Sequence, residues 1–218
     1  MPAEIKSVVF DFDGVLIDSV DLKFDAMKEC YADFGEDFAD HVLAYHKEHH
    51  TTRYVTAEYV MEKQGISDPN FVEERANIYS KLVEDKIVKM PLYPGADSVI
   101  MEVGKRMPIF ISTGTPEEEI NKILRKKCMR HLFDAVFGSP DKKEQHFEKI
   151  LESTGLPPRN VLFIGDMPSD YHVSQNVKVN FLGYNFRGKE DYPDVEHVDK
   201  LLNVLDYIES RKANRWKW

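Results

Sequence analysis

The chain has 218 residues, 42% of them apolar and 31% charged, and its 38 acidic against 29 basic side chains leave a net charge of −9. That length and apolar content can bury a core without disulfide or metal staples and exclude wholesale disorder. The acidic balance opposes a nucleic-acid binder that works through phosphate contacts, and no apolar run approaches the ~20 residues of a membrane span.

Taken in order, Ile5 to Asp11 is a β-branched and aromatic run that reads as a buried strand. It lacks the length and flanks of a leader peptide, so a cytoplasmic protein is expected. From residue 18 to 90 no strand is legible, and helices are predicted over Leu22–Phe34, Phe38–His49, Thr56–Gln64 and Phe71–Lys86. Pro91, Pro94 and Gly95 punctuate the return. Strands then follow over Ile109–Thr113, Ala135–Gly138, Val161–Asp166 and Val179–Tyr184. Helices are predicted between them over Pro116–Cys128 and Lys143–Thr154, with a last one from about Val198 to Arg211. Thr115, Pro116 and Glu118 read as N-cap, first-turn proline and capping box of the first of these. Strands alternating with helices predict an α/β fold, a Rossmann-like parallel sheet with helices on both faces. The expected division is an α/β core of residues 1–17 and 91–218 with an inserted all-helical domain of residues 18–90.

Chemistry gathers at the predicted strand ends, where open α/β sheets bind ligands. Asp11 and Asp13 are two apart in extended chain, so both carboxylates face one way, and Gly14 lets the backbone turn aside. Converging carboxylates repel unless a cation or proton sits between them. Asp166 closes another strand and Asp170 follows four residues later. With Asp11 and Asp13, Asp166 makes an all-oxygen environment suited to Mg²⁺. The Thr113-Gly114-Thr115 segment offers a hydroxyl and backbone N–H groups for an anion. Thr113 is the expected phosphate contact there, with Ser112 the alternative. Lys142 and Lys143 stand where a helix dipole disfavours cations, which calls for a neighbouring anion.

Four such segments in order, FDFDGVLIDS, STGT, the lysine ahead of HFEKIL, and FIGDMPSD, resemble the haloacid dehalogenase superfamily in its phosphoglycolate-phosphatase-like branch. That branch carries a helical cap inserted after the first segment. The resemblance spans nearly the whole chain. It implies that Asp11 is a nucleophile and Asp13 a general acid/base, that Thr113, Gly114 and Lys143 contact phosphate, and that Asp11, Asp13, Asp166 and Asp170 form a Mg²⁺ site. Lys143 is preferred to Lys142 because the lysine of similar sequences precedes the helix's inward positions, here His146 and Phe147, by three to four residues. The activity implied is a phosphoric monoester hydrolase acting on a small phosphorylated metabolite through an aspartyl-phosphate. A phosphotransferase or sugar-phosphate mutase on the same site is the alternative, and a catalytically idle binding protein is disfavoured because no catalytic position is missing. The second aspartate argues against a dehalogenase.

Two further segments remain. In HKEHHTTRY, His46 and His50 have helical metal spacing but no third ligand, whereas Arg53 could clamp a second anionic group of the substrate. Arg211, Lys212, Arg215 and Lys217 beside Trp216 and Trp218 read as a basic helix end with aromatic packing. Cys30 and Cys128 stand in no metal or disulfide spacing. Neither the substrate's identity nor an oligomeric state is written in the sequence.

Overall fold

A computed structural model describes residues 3–49 and 51–212. His50 and the tail residues Arg215, Trp216, Lys217 and Trp218 lie outside the described residues. The β-branched and aromatic runs form a six-stranded parallel sheet: β1 (Ser7–Phe10), β2 (Ile109–Pro116), β3 (Ala135–Ser139), β4 (Val161–Gly165), β5 (Asn180–Tyr184) and β6 (His197–Val198). Their spatial order is β3-β2-β1-β4-β5-β6. Chain order thus runs outward from β1 to one edge, then jumps back to β4 on the other side. The switch point falls between β1 and β4, whose register pairs Val9 with Phe163 and Phe10 with Ile164.

Both faces of the central strands are buried, as side-chain alternation requires when helices cover each side. On one face Val9, Phe110, Phe163 and Phe181 lie side by side and receive Phe147 and Ile150 from helix α7 (Lys143–Thr154). Phe147 meets Phe163 edge-on with ring centroids 5.0 Å apart. The opposite face holds Val8, Ile109, Ile111, Leu162 and Ile164, all fully buried. There Ile109 lies against Gly104 of helix α5 (Ala96–Gly104).

Several boundaries differ from the sequence reading. α5 is an additional element after the Pro94-Gly95 turn, and helix α8 (Pro168–Val177) begins at a proline where the sequence reads as a turn or a first helical turn. β2 continues through Pro116, because the chain bulges after Ser112 and pairs again at Pro116 with Ser139. Helix α6 (Glu117–Lys126) therefore takes Pro116, not Thr115, at its N-cap, with Glu117, Glu118 and Glu119 filling its first turn. Residues 197–198 pair with β5 as an edge strand, which delays the last helix, α9, to Asn203–Ser210.

The chain divides into two compact units, residues 1–18 with 91–218, and residues 19–90. Asp18 falls on the α/β side of the division, where its carboxylate accepts a hydrogen bond from Tyr93 Oη at 2.7 Å. The second unit is wholly helical: α1 (Val20–Cys30), α2 (Glu36–His49), α3 (Arg53–Lys63) and α4 (Phe71–Lys89). Its interior is built from Met27, Tyr31, Val42, Val60, Val83 and Ile87. Arg75 ties α4 to the end of α1 by donating to the Cys30 carbonyl and to both carboxylate oxygens of Asp33. Among the described residues no helix is long and apolar enough to cross a membrane.

Candidate active site

The carboxyl ends of β1 and β4 face one another across the switch point, so the residue just beyond each strand enters one small volume. Those residues are Asp11 and Asp166. Asp11 extends the ladder by one bond, its N–H donating to the Ile164 carbonyl at 2.9 Å, and the residue is only 7% exposed. Asp170, from the first turn of α8, joins them. One carboxylate oxygen from each of Asp11, Asp166 and Asp170 lies within 4.8 Å of the others. Gly14 makes room for this convergence. Its φ is +77°, and a Cβ there would stand 2.3 Å from Asp166 Oδ2.

Lys143 opens α7 and reaches into the cluster. Its Nζ donates to Asp11 Oδ2 at 2.7 Å and to Asp170 Oδ1 at 2.6 Å. Lys142 sits one residue outside, at the helix N-cap position. The electrostatics follow from crowding four charged groups out of water. Burial, with Asp170 and Asp13 nearby, raises the Asp11 carboxyl to about 7 against the pull of Lys143. Burial, then Asp11 and Asp170, raise Asp166 to about 8. Burial alone would depress the Lys143 ammonium, but Asp11 and Asp170 outweigh it and hold the group above its ordinary value.

Asp13, expected from the sequence to join these acids, is near enough to act on Asp11, but its carboxylate is not among the three that cluster. It turns toward the loop after β2, where Thr115 Oγ1 donates to Asp13 Oδ2 at 3.0 Å and Thr113 Oγ1 stands 3.5 Å from the same oxygen. Thr113 also accepts the Thr115 N–H at 3.2 Å, which closes a tight local turn. Gly114 at its tip is exposed, with open space where a Cβ would be. Ser112 points away, into the sheet's covered face, and bonds His146.

These acids, lysine and hydroxyls lie within a segment matched by the model of the haloacid dehalogenase-like hydrolase family, over residues 8–184. The chain belongs to that family. Curated relatives include (DL)-glycerol-3-phosphatase 1, mitochondrial, of Arabidopsis thaliana, 25% identical over 94% of this chain and 69% of the relative. The phosphoglycolate phosphatase of Shigella boydii is 26% identical over 93% of both chains. Among solved structures, a haloacid dehalogenase-like hydrolase of Streptococcus pneumoniae superposes with a TM-score of 0.70 at 19% identity, covering 93% of this chain and 98% of its own.

Two residues at this site were invisible to motif reading. Thr115 reads as a helix cap, and only the continuation of β2 turns its hydroxyl onto Asp13. Arg187 follows β5 in a loop of no recognisable pattern. Its Nε donates to Asp166 Oδ2 at 3.2 Å and its N–H to the Asp166 carbonyl at 2.8 Å. Arg53 lies elsewhere. It opens α3 in the helical unit, is 8% exposed, donates to Ser80 Oγ and stacks 4.4 Å above the Tyr79 ring. Those contacts are internal to the helical unit and pack Arg53 there. His46 Nδ1 lies 3.2 and 3.0 Å from the hydroxyls of Thr51 and Thr56.

Proposed function

We propose that this hydrolase cleaves the phosphate monoester of a small metabolite through a phosphorylated Asp11, with Asp13 as general acid and base. The carrying observation is the Asp11 carboxylate at the sheet's switch point, 2.7 Å from Lys143 and grouped with Asp166 and Asp170. The relatives named as glycerol-3-phosphatase and phosphoglycolate phosphatase support a small phosphorylated substrate.

In this reading an Asp11 oxygen attacks phosphorus in line, the bond from phosphorus to the ester oxygen breaks, and the Asp13 proton passes to the departing oxygen. Water then attacks the same phosphorus from the opened side. Asp13 takes its proton, the acyl-phosphate bond breaks, and Asp11 returns as carboxylate with inorganic phosphate released. Lys143 offsets the charge of an anion approaching an anion, and Thr113 with the N–H groups of its loop receives the phosphoryl oxygens. Thr115 fixes Asp13 by one oxygen, which aims the carboxyl that must donate first and accept second.

Asp11, Asp166 and Asp170 fit a magnesium ion, since their donors are all oxygen and burial, with the acids' mutual repulsion added to it, raises two of the three carboxyls when no cation offsets them. When bound, Mg²⁺ would supply countercharge to the phosphoryl oxygens. The helical unit of residues 19–90 is proposed as the cap that selects the substrate. The test is phosphate release from a panel of phosphorylated acids, polyols and sugars with and without Mg²⁺, alongside Asp11→Asn. The variant is expected to lose about a thousandfold or more in kcat with its melting temperature retained. An Asp11→Asn protein that turns over at the native rate would remove Asp11 from the chemistry.

A further inference from the structure

α7 carries, one turn behind Lys143, a histidine that the reaction as described does not use. His146 is fully buried, and both ring nitrogens are bonded. Nε2 lies 3.1 Å from the Gly138 carbonyl at the end of β3, and Nδ1 lies 2.9 Å from Ser112 Oγ on β2. A carbonyl can only accept, so Nε2 carries the hydrogen and Nδ1 of the neutral ring accepts from the Ser112 hydroxyl. The ring stacks on Phe137, centroids 5.6 Å apart. Burial and the nearby Lys143 favour the neutral form against the partial opposition of Asp141 and the Gly138 carbonyl, while Lys149 acts in the same direction as Lys143.

Both partners border the loop that holds Asp13. Ser112 immediately precedes Thr113. Gly138 presses on the other end of that loop so closely that a Cβ would stand 2.3 Å from the Thr115 carbonyl and 2.6 Å from the Glu117 nitrogen. One imidazole thus joins the start of the Thr113–Thr115 loop, the strand packed against its end, and the helix turn that delivers Lys143.

We infer that His146 is a positioning residue: through Ser112 and Gly138 it sets the spacing between the Thr115–Asp13 pair and the Lys143–Asp11 pair. The inference rests on the phosphatase reading for its kinetic consequence and on geometry alone for its structural one. A side chain displaced by a fraction of an ångström costs catalysis much more than it costs folding.

The experiment uses the full chain with Ser112→Ala, His146→Gln and the pair combined. In wild type, long-range ¹H–¹⁵N spectra of the histidines should show the Nε2–H tautomer for His146 at pH 7.5. In Ser112→Ala, amide shifts should move both at Thr113–Thr115 and at Lys143. With a substrate found in the panel above, each single variant should lower kcat by about ten- to a hundredfold. Km should change less than twofold, and the double variant should cost no more than His146→Gln alone. An Nδ1–H tautomer, amide changes confined to the Ser112 loop, or a folded variant with native kcat overturns the inference. Absence of phosphate release by wild type would instead sink the phosphatase reading and leave the tautomer and amide results to judge the brace.

Discussion

At the scale of single residues, the pairing of Thr115 with Asp13 separates the carboxyl proposed as acid and base from the three that cluster. Thr115→Val keeps the shape and removes the donor, so kcat should fall about tenfold, the worth of one hydrogen bond to a charged or proton-sharing group, with little change in Km. Steady-state kinetics on the best substrate of the panel decides this, and an unaltered kcat would deny Thr115 any part in orienting Asp13. The clustered acids make a pH prediction. Asp11 is held near 7 and Asp166 near 8 in the folded chain, against the ordinary carboxylate value near 4 when unfolded. The folded, metal-free protein therefore binds more protons than the unfolded one, and these two groups contribute stability below pH 4 that is lost as pH rises through 7 to 8. Magnesium competes for the same oxygens. Its stabilisation, read as the difference in melting temperature between saturating Mg²⁺ and chelator, should be larger at pH 8.5 than at pH 6. A shift independent of pH would mean that the cation does not bind at these carboxylates. The acids themselves are legible in sequence because a strand followed at once by Asp needs only local reading. Thr115 and Arg187 are not, since each acquires its partner through a bulge or a loop whose course depends on residues far away.

At the scale of elements, the strands and the helical stretch of residues 19–90 follow from hydrophobic periodicity and the absence of β-branched runs, properties a short window contains. The helices α5 and α8 do not, because the prolines at their starts read equally well as loop and as the first turn of a helix. Arg53 illustrates the same limit. An arginine beside a threonine pair resembles an anion clamp, whereas its engagement by Ser80 and Tyr79 is a fact of how α3 packs on α4. Arg53→Ala should remove about 1–3 kcal/mol of stability through the lost charged hydrogen bond and cation–π contact. For a chain of this size that is a fall of roughly 2–4 °C in melting temperature for each kcal/mol. Hydrolysis of substrates with and without a second anionic group should then decline alike. Loss confined to doubly anionic substrates, with melting unchanged, would restore the clamp.

At the scale of the whole molecule, the strand order places the acids of β1 and β4 side by side, and that adjacency is what turns separate motifs into a site. Asp11, Asp13, Asp166 and Asp170 against Lys143 and Arg187 leave an excess of negative charge that a divalent cation can offset. Calcium is expected to be a poor substitute for magnesium, since its longer bonds and looser geometry misplace nucleophile and phosphoryl group. Rates measured with each ion in turn check this, and equal activity with both would show that cation geometry does not govern the reaction.

The strand order also dictates what happens while the chain is being made. β1 precedes the other described strands in the chain and is one of the innermost in the finished sheet, flanked by strands that begin at Ile109 and Val161. At about 5–20 residues per second, its second neighbour leaves the ribosome roughly 8–30 s after it does. Throughout that interval the Ser-Val-Val-Phe segment, destined to be wholly buried, has at least one unpaired edge. Its contacts are distant in sequence, so closure is slow for topological reasons however well the finished core packs. The 19–90 unit, whose farthest pairing joins α1 to α4, closes over a shorter stretch of chain than the sheet does and can be complete before β4 exists. A nascent chain long enough to carry residues 19–90 clear of the ribosome should thus yield a protease-resistant helical fragment preceded by a susceptible first strand.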